Sequence, residues 1–289
     1  MPAVRELTGP PDLGSLYRRA ALGALARRRG ADELPDTTLV LRAATVDRSR
    51  LADYAKICGY RLTDALPPTY PQVMAFPLAL SLMSDDDFPF PVIGLVHVAD
   101  RIDVLRPIGA DERLELVVRA SDLRAHERGR QFDVRTTVSV DDEVVYRAVA
   151  TYLRKTNPRK TRGRSDTRRE PEPVPPAAAV WRVGRAVGPD YARVSGDRNP
   201  IHTSRLAARA FGYRGPIAHG MWSAARCLSA LEGRLPDGYT VEVGFRRPIV
   251  LPAKVAFSGT PGPERWTLAL HDARTGIPHL TGEVRATGS

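Results

Sequence analysis

The sequence predicts an α+β protein built from two copies of one unit, in which a single helix precedes several consecutive antiparallel strands. The first observation behind this prediction is a run of strand-like segments after one apolar helical segment in each half of the chain. The second is a set of short segments that recur in the same order in both halves. A sheet of consecutive antiparallel strands buries one face, and a long helix can cover it.

The recurring segments indicate an internal duplication. They are 54–59 with 191–196 at an offset of 137, 71–76 with 216–220 more loosely, and 105–108 with 246–249 at an offset of 141. The order is kept and the offset changes by only a few residues, which chance similarity does not produce.

The elements of the second half are predicted from its apolar periodicity. Residues 217–231 have helical spacing at Met221, Ala224 and Leu228, and Gly233 is a plausible helix end. The strand-like runs that follow are 239–247, 253–259, 265–271 and 279–286.

The first half repeats this order of elements. Its helix is predicted near 76–83. Its strands are predicted at 95–105, 113–120, 131–140 and 144–153.

Residues 154–178 are polar and then proline-rich, without apolar periodicity, and predict a linker between units 1–153 and 179–289. Positions 154–170 carry eight Lys or Arg and two acidic residues, which is +6 of the formal net charge of +10. The charge excess is therefore local. Contact with an acidic partner is an alternative role for it, whereas nucleic-acid binding is disfavoured because no aromatic residues are interleaved with the cations.

Composition predicts a soluble cytoplasmic protein. Hydrophobic residues make up 43% and charged residues 26%, and no apolar run is long enough to insert into a membrane. The apolar run 20–26 has arginines on both sides, unlike a secretory signal. The two cysteines, Cys58 and Cys227, are far apart and lack metal-ligand spacing, so a reducing compartment is expected.

Residues 191–221 carry the chemistry. Asp197 and His202 are five residues apart in a Gly- and Pro-containing stretch, where an acid and an imidazole can share one water molecule. The following segment, Gly-Pro-Ile-Ala-His-Gly-Met at 215–221, predicts the start of a buried helix. Helix capping is the alternative role for Asp197, and His219 is expected to orient the loop.

The segments Ser-Gly-Asp-Arg-Asn-Pro-Ile-His and Ile-Ala-His-Gly-Met resemble the signature of MaoC-like (R)-specific enoyl-CoA hydratases. That family has the hot-dog fold, and two units in one chain resemble its double hot-dog members. The resemblance implies that Asp197 and His202 are the catalytic pair, with Asn199 in support. It also implies that the Gly220 N–H holds the thioester carbonyl. Ser195 is a further candidate for hydrogen bonding in the site.

The first unit departs from this signature. Counting along the chain, Tyr60 stands where Asp197 would be and Ala65 where His202 would be. By resemblance to double hot-dog hydratases, the first unit has lost catalysis and shapes an acyl pocket. One active site per chain follows.

Hydration of a trans-2-enoyl thioester needs water at C3, a proton at C2 and stabilisation of the thioester oxygen. A carboxylate–imidazole pair and a helix N-terminus supply these functions without a metal or redox cofactor. The spacing leaves open which of Asp197 and His202 takes the water proton. The phosphates of coenzyme A require cations at the mouth of the pocket, and Arg246, Arg247 and Arg214 are the candidates.

The sequence therefore predicts (R)-specific hydration of trans-2-enoyl-CoA, and the reverse dehydration, in fatty-acid metabolism. Dehydration of acyl-carrier-protein thioesters is the nearest alternative. A non-catalytic acyl-thioester binding protein and a thioesterase are weaker ones. Either a monomer or a homodimer is compatible with two units in one chain.

Overall fold

The computed structural model describes residues 3–25, 32–155 and 175–287. The helices are α1 (Leu13–Leu25), α2 (Arg48–Cys58), α3 (Tyr70–Met83), α4 (Val187–Ser195), α5 (Arg205–Ala210) and α6 (Gly220–Ser229). The strands are β1 (Ala3–Leu7), β2 (Thr37–Ala44), β3 (Leu95–Val104), β4 (Leu114–His126), β5 (Gly129–Val140), β6 (Glu143–Lys155), β7 (Ala179–Val183), β8 (Tyr239–Phe245), β9 (Ala253–Pro261), β10 (Arg265–Asp272) and β11 (Pro278–Ala286).

All of these strands form one sheet in the order β1-β2-β4-β5-β6-β3-β8-β11-β10-β9-β7. Every pairing is antiparallel except that of β1 with β2. Read outward from its centre, the first unit runs β3-β6-β5-β4-β2 and the second runs β8-β11-β10-β9-β7. The two units therefore have the same topology, and they meet where β3 pairs with β8.

The centre of the molecule lies at Arg101 on β3, which is opposite Glu242 on β8. These two positions are also related by the offset of 141 residues that relates 105–108 to 246–249. A pseudo-twofold axis consequently passes between them, and their side chains form an ion pair across it.

The helices α2 and α4 confirm the repeat at the offset of 137. Gly59 and Gly196 end them in the left-handed conformation, with φ of 80° and 82°, and their N–H groups donate to the carbonyls of Ala55 and Ala192. Glycine is favoured at such helix ends because it lacks a Cβ atom.

The loosely matched segments, 71–76 and 216–220, correspond to each other in a different register from the one predicted. Ala65 bridges Gly109, and Ile217 bridges Val250 in the same way, so the segments before α3 and α6 correspond at an offset of 152. The predicted pairing of Ala65 with His202 is therefore wrong. The second unit has fifteen extra residues between the end of α4 and this bridge, and they include His202 and α5.

Helices α3 and α6 are the buried helices of the two units. Eleven of the fourteen residues of α3 are buried and seven of the ten residues of α6. Helix α3 begins at Tyr70, six residues before the predicted start at 76. Pro71 and Pro77 obscured this start, although a proline in the first turn costs no hydrogen bond.

The predicted strands are confirmed, and nearly all of their predicted ends lie within two residues of the observed ends. The exception is β4, which runs six residues past the predicted end at 120 and is irregular between Ser121 and Arg124. Strands β1, β2 and β7 and helices α1, α2, α4 and α5 were not predicted. Most of the predicted linker, 156–174, lies outside the described residues, so the linker stays a prediction.

Within the described ranges, none of the helices has both the length and the apolar character needed to cross a membrane.

Candidate active site

The loop after α4 holds Asp197 through local hydrogen bonds. The Asn199 N–H donates to Asp197 Oδ1 at 3.1 Å, and the Ile201 N–H donates to Asn199 Oδ1 at 3.3 Å. The Asp197 N–H donates to Ser195 Oγ at 3.2 Å, and this hydroxyl donates to the Tyr191 carbonyl at 2.7 Å. The loop therefore fixes the direction of the carboxylate before any substrate binds.

His202 faces this carboxylate through a ring nitrogen that carries a lone pair. Its Nδ1 lies 2.8 Å from the Ile217 carbonyl. Because a carbonyl only accepts hydrogen bonds, Nδ1 carries a proton, and in the neutral ring Nε2 then holds the lone pair. Nε2 is 4.0 Å from Asp197 Oδ2, which is too far for a direct hydrogen bond. A water oxygen about 2.8 Å from each atom spans such a gap.

His219 lies where it can orient the loop, as expected from the sequence. It is the N-cap residue of α6, its Nε2 donates to the Asp197 carbonyl at 2.9 Å, and its ring stacks on His202 with centroids 3.6 Å apart. Burial, with a smaller effect of His202, lowers the pKa of His219 to about 3. The ring is neutral at physiological pH and ties the loop to the helix.

Asp197 is ionised in this setting. Burial acts to raise its pKa, but the neighbouring histidines, the Asn199 N–H and the Tyr17 hydroxyl together outweigh burial, and the pKa lies below its usual value. One third of the side chain is exposed, towards the cavity described below. A carboxylate that reaches the cavity in its charged form can accept a hydrogen bond from water or exchange a proton.

Gly220 is the first residue of α6, so its N–H has no partner within the helix. A Cβ atom at this position would lie 3.1 Å from the Phe245 ring. A side chain at this position would require the Phe245 ring to shift by a few tenths of an ångström. The free N–H and the positive end of the helix dipole form a suitable site for a developing oxyanion.

The predicted binding roles of Ser195 and Asn199 stay predictions. The hydroxyl proton of Ser195 is donated to the end of α4, and the amide oxygen of Asn199 accepts a bond from the loop. These contacts show how both residues shape the loop.

Tyr17 on α1 is the site residue that the sequence did not indicate. Its hydroxyl accepts the Arg198 N–H at 2.7 Å, and it lies 3.3 Å from Asp197 Oδ1 and 3.2 Å from the Gly196 carbonyl. The contact joins residues 180 positions apart, so no local pattern marks it.

A cavity of about 3570 Å³ contains Asp197, His202 and Gly220. This volume is well above the several hundred Å³ of an ordinary small-molecule site. Its inner wall comes from the first unit and is mainly apolar, with Val73, Phe76, Ala79, Leu80, Met83 and Val134.

Cations surround the mouth of the cavity, among them the predicted phosphate-binding residues Arg214, Arg246 and Arg247. All three are exposed. Burial and the neighbouring Arg128 and Arg247 lower the pKa of Lys155, another lining residue. Cations crowded in this way favour an anionic ligand.

The corresponding place in the first unit is filled. Tyr60 takes the position of Asp197, and its buried hydroxyl has no hydrogen-bond partner among the described residues. The cavity beside it has a volume of only about 190 Å³. This agrees with the predicted loss of catalysis in the first unit.

Asp197, His202 and His219 have ligand atoms within 4.8 Å of one another, a spacing that suits a metal ion. The hydrogen bond to the Asp197 carbonyl, however, uses the Nε2 proton of His219, and Nε2 then has no lone pair for a metal. The prediction that no metal or other cofactor is needed stays a prediction.

A curled antiparallel sheet around buried helices, with a carboxylate–imidazole pair before a helix N-terminus, defines a hot-dog enzyme of the lyase class. The MaoC-like domain family matches residues 170–257. Over 286 residues the chain is 38% identical to 3-hydroxyacyl-thioester dehydratase X of Mycobacterium tuberculosis, covering 96% of this chain and 99% of that protein. The chain belongs to the MaoC-like dehydratase family.

Solved structures agree with this assignment. The crystal structure of HtdX from Mycobacterium tuberculosis has a TM-score of 0.78 at 37% identity, over 86% of this chain and 100% of that one. A MaoC-like dehydratase from Phytophthora capsici has a TM-score of 0.71 at 18% identity, over 87% and 95% of the two chains. The predicted double hot-dog fold and enzyme class are confirmed.

Proposed function

We propose that the protein catalyses the reversible, (R)-specific hydration of trans-2-enoyl-CoA to (R)-3-hydroxyacyl-CoA in fatty-acid metabolism. One observation carries the proposal: the lone pair of His202 Nε2 faces Asp197 Oδ2 across 4.0 Å, beside the free N–H of Gly220. The similar Mycobacterium tuberculosis protein is named a 3-hydroxyacyl-thioester dehydratase, which is the same reaction in the reverse direction.

In the hydration direction, a water molecule lies between Asp197 and His202. His202 Nε2 takes one water proton while the water oxygen bonds to C3, since this nitrogen holds the lone pair. The electrons of the C2–C3 double bond move to the thioester oxygen, which the Gly220 N–H stabilises. The proton then passes to C2, and Asp197 holds the new hydroxyl group by accepting its hydrogen bond.

In this proposal, the substrate binds in the cavity in a single orientation. The acyl chain extends into the apolar wall of the first unit, and the phosphates of coenzyme A lie at the cationic mouth. The same cations suit the acidic surface of an acyl carrier protein, so a carrier-bound thioester is the second candidate substrate.

The test is the loss of enoyl-thioester absorbance with crotonyl-CoA and with a longer 2-enoyl-CoA. A coupled (R)-specific 3-hydroxyacyl-CoA dehydrogenase reads the configuration of the product. We expect activity in the native protein and a loss of about 10³-fold or more in Asp197→Asn and His202→Ala, as for removal of acid–base groups.

A folded native protein that is inactive on both CoA esters and active on a carrier-bound ester would move the proposal to the second substrate. Full activity in either variant would refute the assigned pair. The monomeric or homodimeric state stays a prediction.

A further inference from the structure

A second polar cluster lies inside the cavity, on the wall that the first unit supplies. It consists of Gln72 on α3 with His97 and Asp100 on β3, all of which line the cavity. Gln72 Nε2 donates to both carboxyl oxygens of Asp100, at 3.1 and 3.0 Å. His97 Nε2 lies 3.3 Å from Asp100 Oδ2. The Asp100 side chain is completely buried.

A β-bulge directs both β3 residues into the cavity. Residues three apart on a regular strand face opposite sides of the sheet. The register between β3 and β6 shifts between His97 and Ala99, so His97 and Asp100 face the same side. Bulges of this kind commonly re-aim a side chain beside a functional site.

The cluster lies close to the reacting centre. The His97 ring stacks on Tyr152 and lies 4.9 Å from the Phe245 ring, centroid to centroid. Phe245 is the ring that closes against Gly220. When the Gly220 N–H holds the thioester oxygen of a substrate, the acyl chain of that substrate therefore lies beside the cluster.

The hydrogen bonding of the cluster is incomplete. Gln72 Oε1 and His97 Nε2 are buried and have no hydrogen-bond partner among the described residues, since the 3.3 Å contact of His97 lacks the geometry of such a bond. Burial also raises the pKa of Asp100. A buried polar atom without a partner destabilises the fold, and such atoms persist mainly where they serve a function.

The neighbours of the cluster show which part of a substrate reaches it. Val73 and Phe76 flank Gln72 on α3, and Val134 and Ala150 lie on the strands beyond Asp100, so the surroundings are apolar. The cations lie at the mouth. The group that completes the cluster therefore belongs to the acyl chain, not to the phosphate-bearing arm.

We propose that Gln72, His97 and Asp100 form a hydrogen-bonding subsite for an oxygen substituent on the acyl chain, such as a hydroxyl group, beyond carbon 3. The inference rests on the proposed function, which places the acyl chain in this cavity. A hydroxyl group can donate to Gln72 Oε1 and pair with the His97 ring nitrogen. An unsubstituted chain leaves both atoms buried and unpaired, and a site of this kind discriminates against such a chain.

The experiment compares 2-enoyl-CoA esters that carry one hydroxyl group, at successive carbons from C5 outward, with their deoxy counterparts of equal length. We expect a preference in kcat/KM of about tenfold or more for at least one position, the equivalent of one hydrogen bond. In Gln72→Met, which keeps the length of the side chain, the ratio should fall towards one. Asp100→Asn should lower it as well.

The chain has one other glutamine, Gln131 on β5, which does not line the cavity. Gln131→Met is therefore a matched control, and it should keep the native ratio. An equal kcat/KM for hydroxylated and deoxy esters at every position would overturn the inference, as would a preference that survives Gln72→Met.

Binding measurements distinguish a failure of this inference from a failure of the proposed function. Calorimetric affinities of the same esters and of free CoA are measured on native protein and Gln72→Met. If no ester is turned over but the hydroxylated esters bind more tightly to native protein alone, the proposed function fails and the subsite stands. An equal loss of affinity for free CoA and for the esters would assign the cluster to the pantetheine arm and overturn the inference.

Discussion

At the scale of single residues, the Asp197 carboxylate is held from two directions. The loop supplies the Asn199 N–H, and α1 supplies the Tyr17 hydroxyl, which also receives the Arg198 N–H. The first contact is local and follows from the motif. The second joins parts of the chain that only the fold brings together, so the motif could be predicted from the sequence and Tyr17 could not.

We expect Tyr17→Phe to lower kcat/KM by about ten- to a hundredfold, the range for a hydrogen bond to a charged group. Loss of the donor raises the pKa of Asp197, so the acid limb of the pH–rate profile moves to higher pH. The measurement is kcat/KM from pH 4 to 8. Tyr213→Phe, at another tyrosine of the cavity wall, is the control and should leave the limb in place. A loss of stability without a shift of the limb would contradict the positioning role.

His219 makes stability depend on pH. Its native pKa is about 3, whereas an unfolded histidine binds a proton below about pH 6.5. The unfolded state therefore takes up more protons between these values, and the free energy of unfolding falls with acid across that window. By pH 5 the loss is about 2 kcal/mol.

The test replaces His219 with glutamine, whose amide can still donate to the Asp197 carbonyl. Urea unfolding at pH 7.5 and 5.0 gives the difference in unfolding free energy between the two conditions. That difference should be smaller in His219→Gln by about 2 kcal/mol. The same difference in both proteins would show that His219 is not held neutral.

At the scale of elements, α2 and α4 end in the same way, but only α4 leads into the catalytic loop. Gly59 and Gly196 share the left-handed conformation and the same backbone hydrogen bond. The periodicity of the sequence located the long strands and the buried helices. It missed the elements that precede the buried helix of each unit, because the prediction rested on one helix followed by consecutive strands. These elements are β1, α1, β2 and α2 in the first unit and β7, α4 and α5 in the second.

The pair gives a matched experiment on one catalytic and one non-catalytic helix end. Alanine at either glycine should cost about 1–2 kcal/mol of stability, because the left-handed conformation disfavours a Cβ atom. At Gly59 the new atom would also meet the guanidinium end of Arg226, a flexible side chain that can move aside. At Gly196 it would lie 2.6 Å from Leu13 on α1, which covers the catalytic loop. We expect Gly196→Ala to lower kcat by tenfold or more and Gly59→Ala to leave kcat within about twofold.

The measurement is kcat of both variants at a temperature where both are folded. Equal losses of kcat in the two variants would mean that the loop does not depend on the end of α4.

At the scale of the whole molecule, the two units share a topology, and the predicted catalytic residues lie in the second unit. The sequence identified the duplication from three short matches, and the division of the chain at 154–178 stays a prediction. It misplaced the counterpart of His202, because the insertion that holds this residue is visible only from the bridges of Ala65 and Ile217. The cluster of Gln72, His97 and Asp100 was equally hidden, since only the fold brings the α3 residue against the two β3 residues.

The insertion predicts that the first unit cannot be reactivated by one change. Tyr60→Asp restores a carboxylate at the position of Asp197, but no histidine segment faces it. The new carboxylate is buried and unpaired, so we expect a loss of several kcal/mol in stability. Made in the His202→Ala background, it should give no gain of hydratase activity, and a measurable gain would show that the first unit retains a latent site.

The ion pair on the pseudo-twofold axis bears on the history of the chain. In a symmetric dimer of separate copies, a residue on the axis faces its own duplicate, so Arg101 would oppose an arginine and Glu242 a glutamate. Opposite charges at that point require two copies that differ in sequence. If the chain were cut into halves, unlike halves would attract each other at this seam and like halves would repel. A homodimer of either unit would therefore place like charges against each other at its centre.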